Sequence, residues 1–102
     1  MAVKDLVNES IDGNTITIFS KSWCPYCKKA KALFKEKYPD VEAKIFEIDL
    51  MDEGTEIQSY LYEKTGQRTV PNIFVKKQHI GGNDDTQAAA KNGRLDKLIR
   101  AQ

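Results

Sequence analysis

The sequence has few of the features that mark specialised protein classes. Its 102 residues include two cysteines, three prolines and one histidine, and the formal net charge is only +1. Two cysteines are too few for a disulfide-rich scaffold, and the balanced charge excludes a nucleic-acid binder that relies on bulk electrostatics. No apolar run approaches the ~20 residues that span a bilayer. The first ten residues contain no continuous apolar stretch, so we expect no secretory signal, no membrane association and a cytoplasmic location.

Length and hydrophobic periodicity predict one α/β domain that covers residues 1–102. Alternating or β-branched stretches predict strands near 15–19, 43–48, 70–75 and 79–80. Apolar spacings of three and four predict helices near 3–11, after Cys24, before Thr65-Gly66 and after Gly81, the last one broken near 92–93. A strand–helix–strand unit followed by a hairpin and a terminal helix implies a small four-stranded mixed sheet with helices on both faces.

The apolar side chains expected to face the core are seven: Ala30, Leu33, Phe34, Ile57, Leu61, Phe74 and Val75. Trp23 is expected to pack at the base of the second helix. His79 is expected on a strand, partly exposed and without a catalytic role. The lysines of the second helix form a basic face that we expect to be solvated.

Cys24 and Cys27 are the residues with the clearest chemistry. Their i, i+3 spacing places them on one face of a helix, at a separation that suits a disulfide. Cys24 falls at the helix start, where unpaired N–H groups and the positive end of the dipole stabilise a thiolate. A dipole supplies at most ~2 kcal/mol, so direct N–H bonds and a cation, for which Lys21 is the candidate, must add to it. Cys27 is expected to be more buried, with a higher pKa.

A lowered pKa does little for the attacking thiol. The thiolate fraction at neutral pH rises while the intrinsic nucleophilicity falls by a similar factor, and the lasting gain is a better leaving group. We therefore infer a catalyst that turns over mixed disulfides. Cys24 is the predicted nucleophile and leaving group, and Cys27 is the predicted resolving thiol.

Two other uses of the cysteine pair remain open at this stage. The pair could be half of a zinc site, but zinc needs two further ligands and the single histidine, His79, leaves only carboxylates to complete it. The thiols could also be inert. Redox use is favoured, and no metal is expected.

Three motifs in a fixed order carry a family resemblance. They are Cys24-Pro25-Tyr26-Cys27 after a strand, Thr69-Val70-Pro71 before a strand, and Gly81-Gly82-Asn83-Asp84-Asp85 before a helix. With these motifs the chain resembles a dithiol glutaredoxin over essentially its whole length. The resemblance implies a thioredoxin-like fold and glutathione-dependent reduction of glutathione mixed disulfides and protein disulfides. Thioredoxin, which carries Gly-Pro between its cysteines, fits less well, and a reductase supplied by a flavoprotein is the corresponding alternative.

The resemblance also implies a glutathione site and assigns residues to it. Val70 would precede a cis proline that faces Cys24 and would pair its backbone with the cysteine part of glutathione. Lys21, Gln58 and Arg68 would hold the glycyl carboxylate. The assigned residues are Lys21, Tyr26, Gln58, Arg68, Thr69, Val70, Pro71, Gly82, Asn83, Asp84 and Asp85.

The γ-glutamyl end of glutathione is expected at the start of the last helical region. Gly82 would allow a close approach of the backbone, the N–H groups of Asn83 and Asp84 would bind the carboxylate, and Asp85 would accept the ammonium. The family often has a small neutral residue where this chain has Asp84, so a repulsion is expected there. Ordinary helix capping is the alternative role for these residues. Tyr26 is expected to form a wall of the cleft, and the alternative for it is an exposed aromatic side chain without a role.

The implied partners are glutathione and glutathionylated or disulfide-containing proteins, and the chain is expected to be a monomer. Some relatives instead hold a [2Fe–2S] cluster between two protomers through the first cysteine of each and two glutathiones. Pro25 follows Cys24 where cluster-binding relatives more often have Gly or Ser, and its fixed φ stiffens the loop. The resemblance therefore favours catalysis over cluster binding.

Overall fold

Four strands and five α-helices make up the fold in a computed structural model, which describes residues 2–100. In chain order the elements are α1 (Val3–Gly13), β1 (Ile16–Ser20), α2 (Pro25–Lys37), β2 (Ala43–Glu47), a 3-10 turn (Ile48–Leu50), α3 (Gly54–Thr65), β3 (Asn72–Val75), β4 (Gln78–Gly81), α4 (Asn83–Lys91) and α5 (Arg94–Arg100). The predicted break near 92–93 is confirmed. The third strand begins at Asn72, later than predicted, because Pro71 has no N–H to donate to a ladder.

The sheet has the strand order β2-β1-β3-β4. Strands β1 and β2 are parallel, since α2 crosses between them, whereas β1–β3 and β3–β4 are antiparallel. This arrangement confirms the predicted four-stranded mixed sheet. None of the helices within residues 2–100 combines the length and the apolar character that a bilayer crossing requires.

Two hydrophobic clusters cover the two faces of the sheet. One packs α2, α4 and α5 against the face that presents Ile18 and Val75. The other packs α1 and α3 against the opposite face, with Ile57, Leu61 and Phe74 at its centre. Six of the seven predicted core residues are buried, and the seventh, Leu33, is partly buried against the first cluster. Helices therefore flank both faces of the sheet, as predicted.

Strand register brings the three sequence motifs to one edge of the sheet. Phe19, near the end of β1, pairs with Asn72 at the start of β3, because these strands are antiparallel. Ile73 pairs in turn with Gly81 at the end of β4. The loop that enters α2, the Thr69–Pro71 segment and the start of α4 consequently meet at this edge. Residues that are almost fifty positions apart in sequence become neighbours for this reason.

Candidate active site

Cys24 lies at the N-cap of α2, with Pro25 as the first helical residue. Burial raises the pKa of the Cys24 thiol, but several groups stabilise the thiolate and outweigh it, so that the pKa lies below the ordinary value. They are, in decreasing order, the backbone N–H and the thiol of Cys27, the backbone N–H of Tyr26 and the charge of Lys21. The helix start therefore provides the thiolate stabilisation that the sequence predicted.

Cys27 lies one turn further into α2 and is fully buried. Burial raises the pKa of its thiol above the ordinary value, although the Lys21 N–H, which lies 3.5 Å from Cys27 Sγ, and the Ser20 hydroxyl act in the opposite direction. Both cysteines are free thiols. The pKa order of the two thiols is the one expected for a nucleophile and a resolving thiol.

The segment before β3 lies against Cys24. The Val70–Pro71 peptide bond is cis, as the resemblance implied, and the Val70 carbonyl oxygen lies 3.9 Å from Cys24 Sγ. The side-chain amide of Gln67 donates hydrogen bonds to the carbonyl oxygens of Thr69 (3.0 Å) and Pro71 (2.9 Å). The Gln67 side chain thus binds the residues on both sides of Val70, which lies next to the reactive sulfur.

A cavity of about 440 Å³ opens beside this segment. It is lined by Tyr26, Gln67, Thr69, Val70, Pro71, Gly82, Asn83, Asp84 and Asp85. The start of α4, with Gly82 as N-cap, forms one wall, and the Thr69–Pro71 segment forms another. The structure therefore brings together most of the residues that the resemblance assigned to glutathione.

Three assigned residues do not line this cavity. Gln58 and Arg68 line a separate cavity of about 380 Å³ beside α3. There the Gln58 side chain donates a 2.7 Å hydrogen bond to the Arg68 carbonyl oxygen, and the Arg68 guanidinium lies 4.1 Å from the centre of the Tyr62 ring. Lys21 lies at the entrance to α2, where its charge acts on Cys24.

The prediction that Trp23 packs at the helix base is wrong. Trp23 is 64% exposed, and the Lys21 ammonium lies 6.0 Å from its ring centre. The reason is the loop conformation: Asp49, in the 3-10 turn, accepts hydrogen bonds from the Ser22 N–H (2.9 Å) and the Ser22 hydroxyl (2.5 Å). This carboxylate therefore fixes the residue before Trp23, whose indole lies in solvent.

Two residues of the site are absent from the sequence-based assignment. Gln67 lies between Gly66, which ends α3, and the Thr69–Pro71 segment, and nothing in a single glutamine shows that it will cap carbonyl groups. Asp49 lies 27 residues from Ser22, and only the pairing of Ser20 with Glu47 in the parallel ladder brings the two loops together.

Gly81 and Asp85 form the far end of the cavity region. Gly81 has a φ of +121°, which favours glycine, and a Cβ at this position would collide with the Asp85 carboxylate. His79, partly exposed as predicted, donates a 2.8 Å hydrogen bond from its Nε2–H to the side-chain oxygen of Asn72. Within residues 2–100, no group of three or more His, Cys, Asp or Glu side chains is arranged to hold a metal ion.

Many known proteins are similar to this chain in sequence and in structure. A 57% identical relative from Rhizophagus irregularis, "Glutaredoxin-1", aligns over 97% of this chain and 96% of its own length. "Glutaredoxin-1" from Saccharomyces cerevisiae is 46% identical over 95% of this chain and 86% of its own length. A solved structure of a buckwheat glutaredoxin–glutathione complex superposes with a TM-score of 0.90 at 33% identity, covering 96% of this chain and 87% of that one.

The family model described as "Glutaredoxin" matches residues 16–80, which run from the first strand to the last. That span contains the two thiols and the cis-proline segment, and the folded arrangement of these parts agrees with the solved relatives, so the fold is thioredoxin-like. On sequence and on structure alike, the chain belongs to the glutaredoxin family.

Proposed function

We propose that Cys24 is the nucleophile and Cys27 the resolving thiol of this protein, and that the cavity beside Val70 holds glutathione. As a glutaredoxin, the chain is a glutathione-dependent thiol–disulfide oxidoreductase. The observation that carries the assignment of roles is the position of Cys24, whose sulfur lies 3.9 Å from the Val70 carbonyl oxygen at the cavity, whereas Cys27 is fully buried behind it.

Deglutathionylation needs Cys24 alone. The Cys24 thiolate attacks the glutathione sulfur of a glutathionylated protein; the protein–glutathione S–S bond breaks, and the protein thiolate leaves and takes up a proton. The thiolate of a second glutathione then attacks the glutathione sulfur held on Cys24. This step releases glutathione disulfide and regenerates the Cys24 thiolate, so one free glutathione is oxidised for each protein–glutathione disulfide that is reduced.

Reduction of a protein disulfide uses both cysteines. Cys24 attacks one sulfur of the substrate disulfide and forms a mixed disulfide with the protein. Cys27, once deprotonated, attacks the Cys24 sulfur, expels the second substrate thiolate and closes the Cys24–Cys27 disulfide. Two glutathiones reopen that bond. The raised pKa of Cys27 keeps this thiol protonated, and therefore idle, until the mixed disulfide forms beside it.

The cavity offers glutathione a backbone edge and a helix start. Among residues 2–100, no backbone group pairs with the N–H or the carbonyl oxygen of Val70 outside the regular elements, which leaves this segment available to pair with an extended peptide. The N–H groups at the start of α4 suit the γ-glutamyl carboxylate, and Asp85 suits its ammonium. The buckwheat glutaredoxin of similar structure has been solved as a complex with glutathione, which supports glutathione as the ligand.

The glycyl carboxylate is assigned to Lys21, Arg68 and Gln58. Gln58 and Arg68 share a cavity on the α3 side of the Thr69–Pro71 segment, so a ligand that pairs with Val70 and extends toward α3 reaches them. Further proposals are that residues 1–102 form a single domain, that the protein acts as a monomer and that it works in the cytoplasm, where a reducing glutathione pool supplies its electrons.

Two serine variants test the proposed roles. Cys24→Ser is expected to abolish turnover of a glutathionylated peptide and of a protein disulfide in the presence of glutathione. Cys27→Ser is expected to retain deglutathionylation and to lose reduction of protein disulfides that require the intramolecular step. Turnover by Cys24→Ser would refute the assignment. Faster turnover with a flavoprotein reductase than with glutathione as electron donor would favour the thioredoxin-type alternative.

A further inference from the structure

The side chain of Gln67 lies between two walls of the cavity that we assign to glutathione. Its amide nitrogen donates to the carbonyl oxygens of both Thr69 and Pro71, at 3.0 and 2.9 Å. An ideal Cβ built on Gly82 would lie 3.9 Å from the same nitrogen. The amide group therefore lies where the Thr69–Pro71 segment meets the start of α4.

The chemistry of the two partners fixes the orientation of this amide. Both are carbonyl oxygens, which only accept hydrogen bonds, so the NH₂ group and not the amide oxygen must face them. One NH₂ group has two protons and here serves two acceptors. The backbone N–H of Gln67 donates in addition to the Thr65 hydroxyl oxygen at 3.1 Å, which anchors the glutamine to the last turn of α3.

We propose that Gln67 is a positioning residue for glutathione. The inference rests on the proposed function, because it assigns Gln67 the task of holding the Val70 backbone in the extended form that pairs with the cysteine part of glutathione. Gln67 acts through Thr69 and Pro71, which flank Val70, and has no role in sulfur chemistry. The segment is otherwise exposed at Thr69 and only half-buried at Val70, so packing alone does not fix it.

Ordering this segment before binding raises affinity, because the ligand then does not have to immobilise it. Loss of the two hydrogen bonds should consequently weaken the binding of glutathione-containing substrates and leave the Cys24 thiolate unaffected, since no group that lowers its pKa belongs to Gln67. A residue with a merely structural role would reduce the folded fraction, and hence the apparent kcat, without changing KM.

The test compares Gln67→Met with Gln78→Met. Methionine keeps the length and volume of glutamine and removes its donors, and Gln78 is an exposed glutamine of β4 outside the cavity. Four quantities are measured for each variant and the wild type. They are kcat and KM for a glutathionylated peptide with glutathione as reductant, the pH midpoint of alkylation by iodoacetamide, and the thermal midpoint. A second variant, Gln67→Glu, places a carboxylate against the two carbonyl oxygens and supplies a second measurement should Gln67→Met fold poorly.

We expect the KM of Gln67→Met for the peptide to rise 5- to 20-fold, a range typical for the loss of one or two modest hydrogen bonds, with kcat and the alkylation midpoint close to those of Gln78→Met. Gln67→Glu should raise KM at least as much. Equal KM values for Gln67→Met and Gln78→Met, or a parallel loss of kcat and of alkylation, would overturn the inference. A wild type that does not turn over the peptide at all would instead overturn the proposed function.

Discussion

The thiol of Cys27 should lower the pKa of Cys24 more than the charge of Lys21 does. The Cys27 S–H group is the second-largest of the contributions that stabilise the Cys24 thiolate, and Lys21 is the smallest of those identified. An S–H group is a weak donor, but a hydrogen bond to a charged acceptor is stronger than one to a neutral acceptor. Removal of this donor should therefore raise the pKa of Cys24.

Cys27→Ala and Cys27→Ser isolate this contribution. The chain has two cysteines, so alkylation of either variant reports Cys24 alone. Serine keeps an O–H donor at the same position, whereas alanine has none. The pH midpoint of iodoacetamide alkylation should therefore lie higher in Cys27→Ala than in Cys27→Ser. Below both midpoints, the alanine variant should be alkylated more slowly, because a smaller fraction of its Cys24 is thiolate.

A lysine variant supplies the comparison. Lys21→Met in the Cys27→Ser background should move the midpoint upward by less than half as much, because the ammonium is half-exposed and solvent screens its charge. The residual shift should shrink as salt is added. Equal midpoints for the alanine and serine variants, or a larger effect of Lys21→Met than of Cys27→Ala, would refute the view that short-range donors dominate the thiolate environment.

Three further predictions concern the frame of the site and the alternative cluster. A Cβ on Gly54 would overlap the Ile48 carbonyl oxygen, whereas one on Gly13 meets no atom within 4 Å; urea denaturation should show that Gly54→Ala lowers the free energy of unfolding by about 2 kcal/mol and that Gly13→Ala changes it little. The hairpin residues Lys76 and Lys77 have φ of 50° and 69°, so both positions need left-handed backbone. The double variant Lys76→Asn/Lys77→Gly should therefore be more stable than the wild type by about 1–2 kcal/mol. An unchanged denaturation midpoint would contradict this. Protein purified anaerobically with glutathione should show no visible absorption band, because Pro25 stiffens the loop after Cys24; a coloured dimer that contains iron would favour the [2Fe–2S] alternative.

Local signals in the sequence were sufficient for the parts of the site that lie within one motif. The i, i+3 cysteine pair, the proline at the first helical position and the glycine pair before α4 each act through backbone geometry close by, and such effects can be recognised from a few adjacent residues. The fold class followed similarly, because alternation and helical periodicity are local properties.

The remaining parts depend on contacts between distant segments. The loop that contains Trp23 is bound by Asp49, which follows another strand and accepts two hydrogen bonds from Ser22. No pattern around Trp23 in the sequence reveals that partner. The position of the Arg68 side chain also depends on a residue of another element. Its guanidinium lies over the ring of Tyr62 in α3 and not in the cavity lined by its neighbours Thr69 and Val70.

Charges of opposite sign lie on the two sides of the segment that contains Val70. Asp84 and Asp85 line the cavity on one side of the Thr69–Pro71 segment, and Arg68 lies on the α3 side. A ligand that pairs with Val70 and reaches both sides therefore meets carboxylates and backbone N–H groups at one end and a guanidinium at the other. Glutathione has an ammonium and a carboxylate at its γ-glutamyl end and a lone carboxylate at its glycyl end, so we expect the proposed site to accept the tripeptide in one orientation. The same segment that supports the reactive sulfur thus also separates the charges that orient the substrate.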